Sequence, residues 1–476
     1  MTRREFLQHS AAAVAGTSVF LSACKKAPDS QQNDQIANDR MVNGKTAKKN
    51  SMTLRTNPNT GDKVSILGFG MMRLPVQAGG TARENPNSPI DQDAVNEMVD
   101  YALAHGVNYF DTSPAYCQGM SEHSTGIALS RHPRKDYFIA TKLSNFSPDT
   151  WSAKESKAMF ENSLRELRTD YIDYLLLHGI GMSGGGKDGL GAFNGRYIDN
   201  GILDWLVEQK RKGRIRNLGF SYHGDIKIFD MLLQWHDENK YHWDFAQIEL
   251  NYLDWAYANE INPRNTDAEY LYNELKKRNI PAVIMEPLLG GRLAQPTYNI
   301  ARKMNQRDSQ FNPAAWAFRF AGTPEGILTV LSGMTYLEHL QANIQTYSPL
   351  QPLDNNDFQW LLGIAKDMYE QKVIPCTTCN YCMPCPYGLN IPRIFEHYNK
   401  SITEGLIPST NGGKPDSEYM RRRRAFLISY DRTVPPLRQA DHCIGCNHCV
   451  SHCPQRIDIP KEMQRIDRLI ESIKQM

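Results

Sequence analysis

Beyond its first two dozen residues this 476-residue chain has no run apolar enough to cross a bilayer, so no membrane-spanning helix is expected there. A net charge of only +2 leaves no basic excess, which argues against nucleic acid as a partner. The single dense basic patch is Arg421 to Arg424, read either as a solvated face or as a dock for an acidic electron-transfer partner. Aromatic residues are missing from 25–51, where Lys, Asn, Gln and Asp dominate. Such a composition excludes a packed core, and we expect a disordered tether spanning about 30 Å by coil statistics. Cysteine is nearly absent from the main body: only Cys24 and Cys117 precede Cys376. The body must therefore be held by its own core, for which the length leaves ample material.

The other eight of the ten cysteines fall in two runs, Cys376, Cys379, Cys382, Cys385-Pro386 and Cys443, Cys446, Cys449, Cys453-Pro454. Four Cys at intervals of two, two and two or three residues, closed by Pro, form the ligand pattern of paired [4Fe–4S] clusters. Three thiolates of one loop wrap three irons, and the fourth corner comes from the opposite run. That places Cys376, Cys379 and Cys382 with Cys453, and Cys443, Cys446 and Cys449 with Cys385. The stretch CPYGLNIPRIF after the first run answers CPQRIDIPKEM after the second, which points to a duplicated module. Zinc sites and disulfides are the alternative uses of such cysteines.

At the other end, Thr2-Arg3-Arg4-Glu5-Phe6-Leu7 precedes a weakly apolar stretch, Ala11 to Ala23, and resembles a twin-arginine export signal. Leu21-Ser22-Ala23-Cys24 looks like a bacterial lipobox with Cys24 as the acylated residue; the alternative is a frayed terminus with an incidental Cys. Twin-arginine export carries proteins already folded around their cofactors, which suits iron–sulfur clusters. The expectation is an exported, periplasmic or otherwise extracytoplasmic protein, lipid-anchored to a membrane. The expected division is 1–24 signal, 25–51 tether, 52–350 barrel, and 351–476 a linker helix with an α-helical ferredoxin-like two-cluster domain.

Between Met52 and Tyr347 short β-rich apolar runs alternate with helical patterns. Candidate strands are Ser65 to Gly70, Asn108 to Asp111, Tyr137 to Lys142, Tyr171 to His178, Arg216 to Ser221, Phe245 to Leu250, Ile280 to Glu286 and Ile327 to Ser332. Plausible helices follow, such as Lys154 to Arg168 and Leu337 to Tyr347. This alternation is α/β and reads as a (β/α)8 TIM barrel. A hairpin turning at Asn57-Pro58-Asn59-Thr60-Gly61 is expected to plug its base. Polar residues gather at the strand ends, where such barrels place their chemistry: Asp111, Tyr116, Lys142 and His178.

Phe110-Asp111-Thr112-Ser113-Pro114-Ala115-Tyr116 with Gly119-Met120-Ser121-Glu122, then Thr141-Lys142, Leu177-His178-Gly179 and Gly219-Phe220-Ser221, resembles the aldo/keto reductase superfamily, in its subgroup with a C-terminal ferredoxin-like domain. The resemblance implies a catalytic tetrad of Asp111, Tyr116, Lys142 and His178, with Tyr116 giving a proton to a carbonyl oxygen while a nicotinamide gives hydride to its carbon. A phenol titrates near 10 in water. A cation about 4 Å away, at an effective dielectric near 20, favours phenolate by at most ~4 kcal/mol, roughly three pKa units, before opposing desolvation. Lys142 is the expected cation, Asp111 its anchor, and His178 the group that orients the substrate oxygen or shares the proton.

The same resemblance assigns NADP or NAD to the other half of the rim. Ser221 and Gln247 would take the carboxamide. The loop from Pro287 and Leu288 to Arg292, with the turn Ser332, Gly333 and Met334, would cradle the pyrophosphate, and Asn343 would stand on the adenine side. Tyr222 and His223 replace an Asn common among relatives, and Thr335 to His339 holds no Arg or Lys for a 2′-phosphate. Cys117 is read as a lining residue. The Gly-rich loop Gly184 to Gly195 and the segment Asp254 to Asn265 are expected to shape an open, polar pocket. The substrate would be a small carbonyl or alcohol, a sugar being one candidate, and the clusters would serve a redox partner protein. The competing reading is a non-enzymatic electron-transfer or scaffold lipoprotein whose barrel binds nucleotide without turnover.

Overall fold

The computed structural model describes residues 52–476 apart from 262–264, 371–372, 377, 379, 409–414, 454, 456 and 476. The signal, Cys24, the tether and Cys379 thus lie outside the described residues. Strands β1 (Leu54–Thr56) and β2 (Lys63–Ser65) pair antiparallel. The turn between them is tied by Asn57, whose side-chain oxygen accepts from the Asn59 amide at 2.9 Å. The Asn57 amide group is buried and donates to the Tyr174 hydroxyl at 3.0 Å and to Asn217 Oδ1 at 3.2 Å. The hairpin therefore closes the barrel base, as its turn residues lead one to expect.

Eight strands follow: β3 (Leu67–Gly70), β4 (Tyr109–Asp111), β5 (Phe138–Leu143), β6 (Ile172–Ile180), β7 (Ile215–Tyr222), β8 (Phe245–Glu249), β9 (Ala282–Met285) and β10 (Ile327–Gly333). They form a closed barrel in sequence order, every neighbour parallel. Val64, Tyr109, Ala140, Tyr174, Leu176, Phe245, Val283 and Leu328 pack together as one cluster. Other strand residues, such as Phe110, Ile139, Leu175 and Ile284, join the larger apolar cluster with the surrounding helices. This alternation is the pleat repeated around a cylinder.

Helices begin where caps allow. Ser152 accepts the Glu155 amide and opens Ala153–Glu166, which buries Phe160 and Leu164, spaced one turn apart on a single face. Arg168, at φ +53°, follows its end. The segment Asp254 to Asn265, expected to shape an open, polar pocket, begins with the helix Asp254–Ile261. Its Trp255 meets Phe358 edge-on at 5.3 Å and its Tyr257 stacks on Tyr369 at 4.6 Å. Its aromatic residues dock the linker helix Asn355–Glu370.

Beyond that linker, helices Ile391–Thr403, Ser417–Thr433 and Ile459–Gln475 build a second core from Ile394, Phe395, Phe426, Tyr430, Met463 and Ile466, joined by Cys449 and Cys453. No helix among the described residues is long and apolar enough to cross a membrane. Substituting Asn57→Ala strips the buried Tyr174 hydroxyl and Asn217 of their donor and should cost about 1–3 kcal/mol. Denaturant unfolding of the purified protein checks this, the expected outcome being a lower midpoint with unchanged slope.

Candidate active site and cysteine cavities

The strand C-termini bring the four expected residues together. Asp111 ends β4 and Lys142 lies in β5, whose neighbouring registers (Asp111 opposite Ala140) hold the two side chains over the same mouth. Lys142 Nζ donates to Asp111 Oδ1 at 2.6 Å and to the Thr112 carbonyl at 2.9 Å, with both charged groups buried. The ammonium stands 4.7 Å from the ring centre of Tyr116, and that ring meets His178 edge-on at 5.9 Å. Tyr116 opens a short helical turn in which Cys117 and Gln118 take left-handed backbone angles, which folds the loop back over the mouth. Cys117 points to the Met71 and Met72 carbonyls and lines this loop.

Desolvation governs the protonation states. Burial pushes the Tyr116 phenol above its ordinary value and outweighs the Lys142 ammonium, which pulls it down. The expectation that Lys142 renders this phenol acidic is corrected accordingly: the phenol keeps its proton near neutral pH. For Lys142 itself burial disfavours the charge, but Asp111 and then Tyr116 more than offset it, so the ammonium persists. His178 is driven well below the usual imidazole range by burial, then by Lys142, Arg196 and His223, and is neutral. Its Nδ1 lies 2.6 Å from the Ser144 hydroxyl, which leaves Nε2 for a ligand.

Ser144, Arg196, Arg73, Glu249 and Glu286 were not singled out from the sequence as site residues. Ser144 sits two residues after Lys142, so the pleat points both side chains the same way; that spacing was a usable signal. Arg196, in the π-helical turn Asn194–Ile198, donates to the His178 carbonyl at 2.5 Å and fixes the end of β6. Glu286 at φ +52°, Arg73, and the pair His223–Glu249 at 3.0 Å line the opposite rim. Burial, then Glu249, raise the Glu286 carboxyl above its usual range while Arg73 opposes them.

The nucleotide side agrees with expectation only in part. Gln247 donates to Met285 Sδ, and its buried Oε1 has no partner, so an amide donor fits there. The Ser221 hydroxyl already accepts from the Gly179 amide at 2.8 Å, and Asn343 donates to Ser332 Oγ at 3.0 Å. The loop after Pro287 and Leu288 does not present amides. Those of Leu289, Gly291, Arg292 and Leu293 bond within the loop, and that of Gly290 bonds to Glu286 Oε2. Glu286 thus occupies the cradle assigned there to phosphate. The turn Ser332-Gly333-Met334 is better suited: no side chain caps the following helix Leu337–Thr346, and Arg73 lies across Gly333, where a Cβ would come within 3.1 Å of its Cδ. The site fits a dinucleotide on this half of the rim.

In the C-terminal domain two cavities gather the cysteines in the crosswise sets expected of them. One is lined by Cys376, Cys382 and Cys453; the other by Cys385, Cys443, Cys446 and Cys449. Ile391 and Ile459 line both. Among the described residues no three His, Cys, Asp or Glu side chains converge tightly enough for a single ion. Thiols that line a common cavity without converging on one point suit a cluster of several irons, each corner taking one thiolate. Burial, then the nearby Cys443, Cys385 and Cys446, push Cys449 up to about 11, so the four thiols share one environment that a cationic core would relieve.

Comparison with known proteins gives a consistent picture. The model of the aldo/keto reductase family matches residues 67–364, and that of a 4Fe-4S dicluster domain matches residues 375–459. The chain is 36% identical over 171 residues to L-galactose dehydrogenase of Arabidopsis thaliana and 32% over 169 residues to D-arabinose 1-dehydrogenase of Saccharomyces cerevisiae. These matches cover 35% and 34% of this chain, and 48% and 46% of those proteins, about half the length of each relative. Among solved structures, an aldo-keto reductase from Bacillus halodurans covers 66% of this chain and 96% of its own, at 22% identity and a TM-score of 0.49.

Behind the mouth, Glu122 takes hydrogen bonds from Thr141 and Ser163, and burial raises its carboxyl from 4.5 to about 7. The folded state therefore holds this proton more tightly, so its contribution is fully present below pH 4.5 and is lost as pH rises through 7. Glu122→Gln should flatten that fall, which amounts to about 3 kcal/mol. Unfolding midpoints taken between pH 5 and 8 for both proteins measure it.

Proposed function

The chain belongs to the aldo/keto reductase family, and from that premise we propose that it interconverts a small carbonyl compound and an alcohol by hydride transfer, with Tyr116 as the proton donor. The observation that carries the reading is the buried Lys142–Asp111 pair beneath a phenol that keeps its proton. Bound on the Gln247 and Gly333 side of the rim, a nicotinamide dinucleotide, NADP or NAD, supplies the hydride. Neutral His178 offers Nε2 to the substrate oxygen, and Ser144 on Nδ1 fixes its tautomer and orientation. Tyr116 passes its proton to that oxygen, and Lys142 stabilises the phenolate left behind. Asp111 keeps the ammonium in place and charged. Sugars or other polyols are the substrate class we favour, because the relatives include two proteins named as sugar dehydrogenases.

In this reading the cysteine sets hold two [4Fe–4S] clusters that exchange electrons with a partner protein, and Cys379 completes the first set. The twin-arginine motif and Cys24 support export and lipid anchoring outside the cytoplasm. Free nicotinamide is scarce there, which favours a dinucleotide held tightly and recycled within the site.

Tyr116→Phe should lower carbonyl turnover by roughly 10²–10⁴-fold while iron and sulfide content stay unchanged. A panel of sugars, polyols and aldehydes assayed anaerobically with the bound nucleotide tests this, and undiminished turnover would remove the proposed donor. Replacing Arg3 and Arg4 by Lys should retain the protein in the cytoplasm, and Cys24→Ala should release it from membranes. Cell fractionation reads both.

A further inference from the structure

Hydride transfer occupies one side of the barrel mouth and leaves a second acid–base pair, on the other side, without a task. Along β6, Tyr174 and Leu176 pack inside the barrel, so His178, two residues on, faces its mouth. The same pleat governs β7 and β8. Phe245 packs inside, and a Cβ on Gly219 would come within 2.8 Å of its ring. Ser221 stands opposite Gln247 one repeat further along. The ladder continues through the His223 amide to the Ile180 carbonyl at 3.0 Å, which brings His223 beside Glu249 one repeat beyond. His223 thus stands at the lip of the mouth with its side chain 32% exposed, one step outside the pair assigned to the carboxamide. Charge interactions close the circle. His178 feels His223, Glu286 feels Glu249 and His223, and Tyr116 feels Glu286. With the Tyr116 ring edge-on to His178, these groups surround one space.

The pair has the parts of an oriented base. His223 Nδ1 lies 3.0 Å from Glu249 Oε1, and Glu249 Oε2 accepts from the Asn265 side chain at 2.9 Å. The carboxylate is held by both oxygens, and with Nδ1 engaged Nε2 is left as the basic nitrogen of the ring. Two more carboxyls, those of Asp254 and Glu286, gather around it, and burial, then Glu249, raise both above the usual carboxylate range. Three carboxyls and an imidazole collected at the C-terminal ends of barrel strands suit chemistry better than packing. With the substrate oxygen on Tyr116 and His178, a base across the same space is placed at the hydrogens of the adjoining carbon, which the carbonyl makes acidic.

We propose that His223, oriented by Glu249, is a general base that removes the proton from the carbon next to the carbonyl, and that the substrates are α-hydroxy carbonyl compounds and the sugars from which they derive. The C–H bond breaks and its proton goes to Nε2. Its electron pair forms a C=C bond, and the carbonyl oxygen takes the Tyr116 proton to give an enediol. Return of the proton from Nε2 restores the carbonyl. Electrons are conserved within the substrate, so the step needs no oxidant. It rests on the placement of the substrate oxygen proposed above, and it gives recycling within the site a purpose: hydride taken from a sugar is given back after the neighbouring carbon has been altered.

The test supplies the carbonyl directly, so it does not depend on hydride transfer. The intact protein is incubated anaerobically in deuterium oxide with dihydroxyacetone, fructose or xylulose, and loss of the α-proton signal is followed by proton magnetic resonance. Exchange should be faster than in buffer alone. His223→Gln should lower it about a hundredfold, and Glu249→Gln about tenfold with partial recovery in Glu249→Asp. Added imidazole should restore exchange to His223→Gly, which a purely structural role would not allow. Wild-type exchange no faster than buffer, or exchange indifferent to both Gln substitutions, overturns the base. Should His223→Gln fail to fold, as read from its unfolding midpoint and iron content, Glu249→Gln decides. Reduction of the bound nicotinamide by a panel of sugars and polyols is measured alongside. Exchange without reduction removes the hydride reading and keeps the base; reduction without exchange does the reverse.

Discussion

A lysine and an aspartate, 2.6 Å apart and shut away from water, set the terms for the rest of the mouth. Such a pair carries a desolvation penalty that only good geometry and further hydrogen bonds offset. Here the Thr112 carbonyl supplies the extra bond, and the closed strand ladder fixes both backbones. The same exclusion of water raises the Tyr116 phenol and empties His178 of its proton. One physical cause thus yields a protonated phenol, a neutral imidazole and a persistent cation side by side. Had the mouth been wet, the Lys142 charge would have been screened and the phenol and imidazole left near their ordinary values.

Much of this architecture was legible in the residues. Buried parallel strands read as short β-branched runs, and each expected strand meets an observed one within a few residues because its apolar pattern and its burial coincide. Asp111, Lys142 and His178 were legible because they break those runs at the strand ends. The cysteine sets were legible because ligand spacing is a covalent constraint, independent of the fold. Less visible were contacts between distant segments. Arg73 lies over Gly333 across the seam where the first and last barrel strands meet, and no local pattern announces it. Glu286 defeats the reading of its loop for a similar reason: its carboxylate and its left-handed backbone together close the amides of residues 289–293.

The segment from Asp254 shows how composition misleads. A long, polar segment between two strands suits a pocket wall, and it equally suits a helix whose aromatic face meets another helix. Trp255, Tyr257, Phe320, Phe358 and Tyr369 form that contact, so the segment anchors the linker that carries the cysteine domain. The catalytic barrel and the cysteine domain are held through aromatic packing, which makes their juxtaposition a property of the fold.

That juxtaposition bears on electron counting. A hydride carries two electrons, each cubane accepts one, and a flavin normally reconciles the two. The sequence shows no separate flavin domain, and the fold sets the two cysteine cavities back to back across Ile391 and Ile459. Two clusters held there, as proposed above, would together match the two electrons of a hydride. The repeated Ile-Pro pairs, Ile391-Pro392 and Ile459-Pro460, begin corresponding helices and supply the common wall. Symmetry of sequence thus builds both cages and the partition between them.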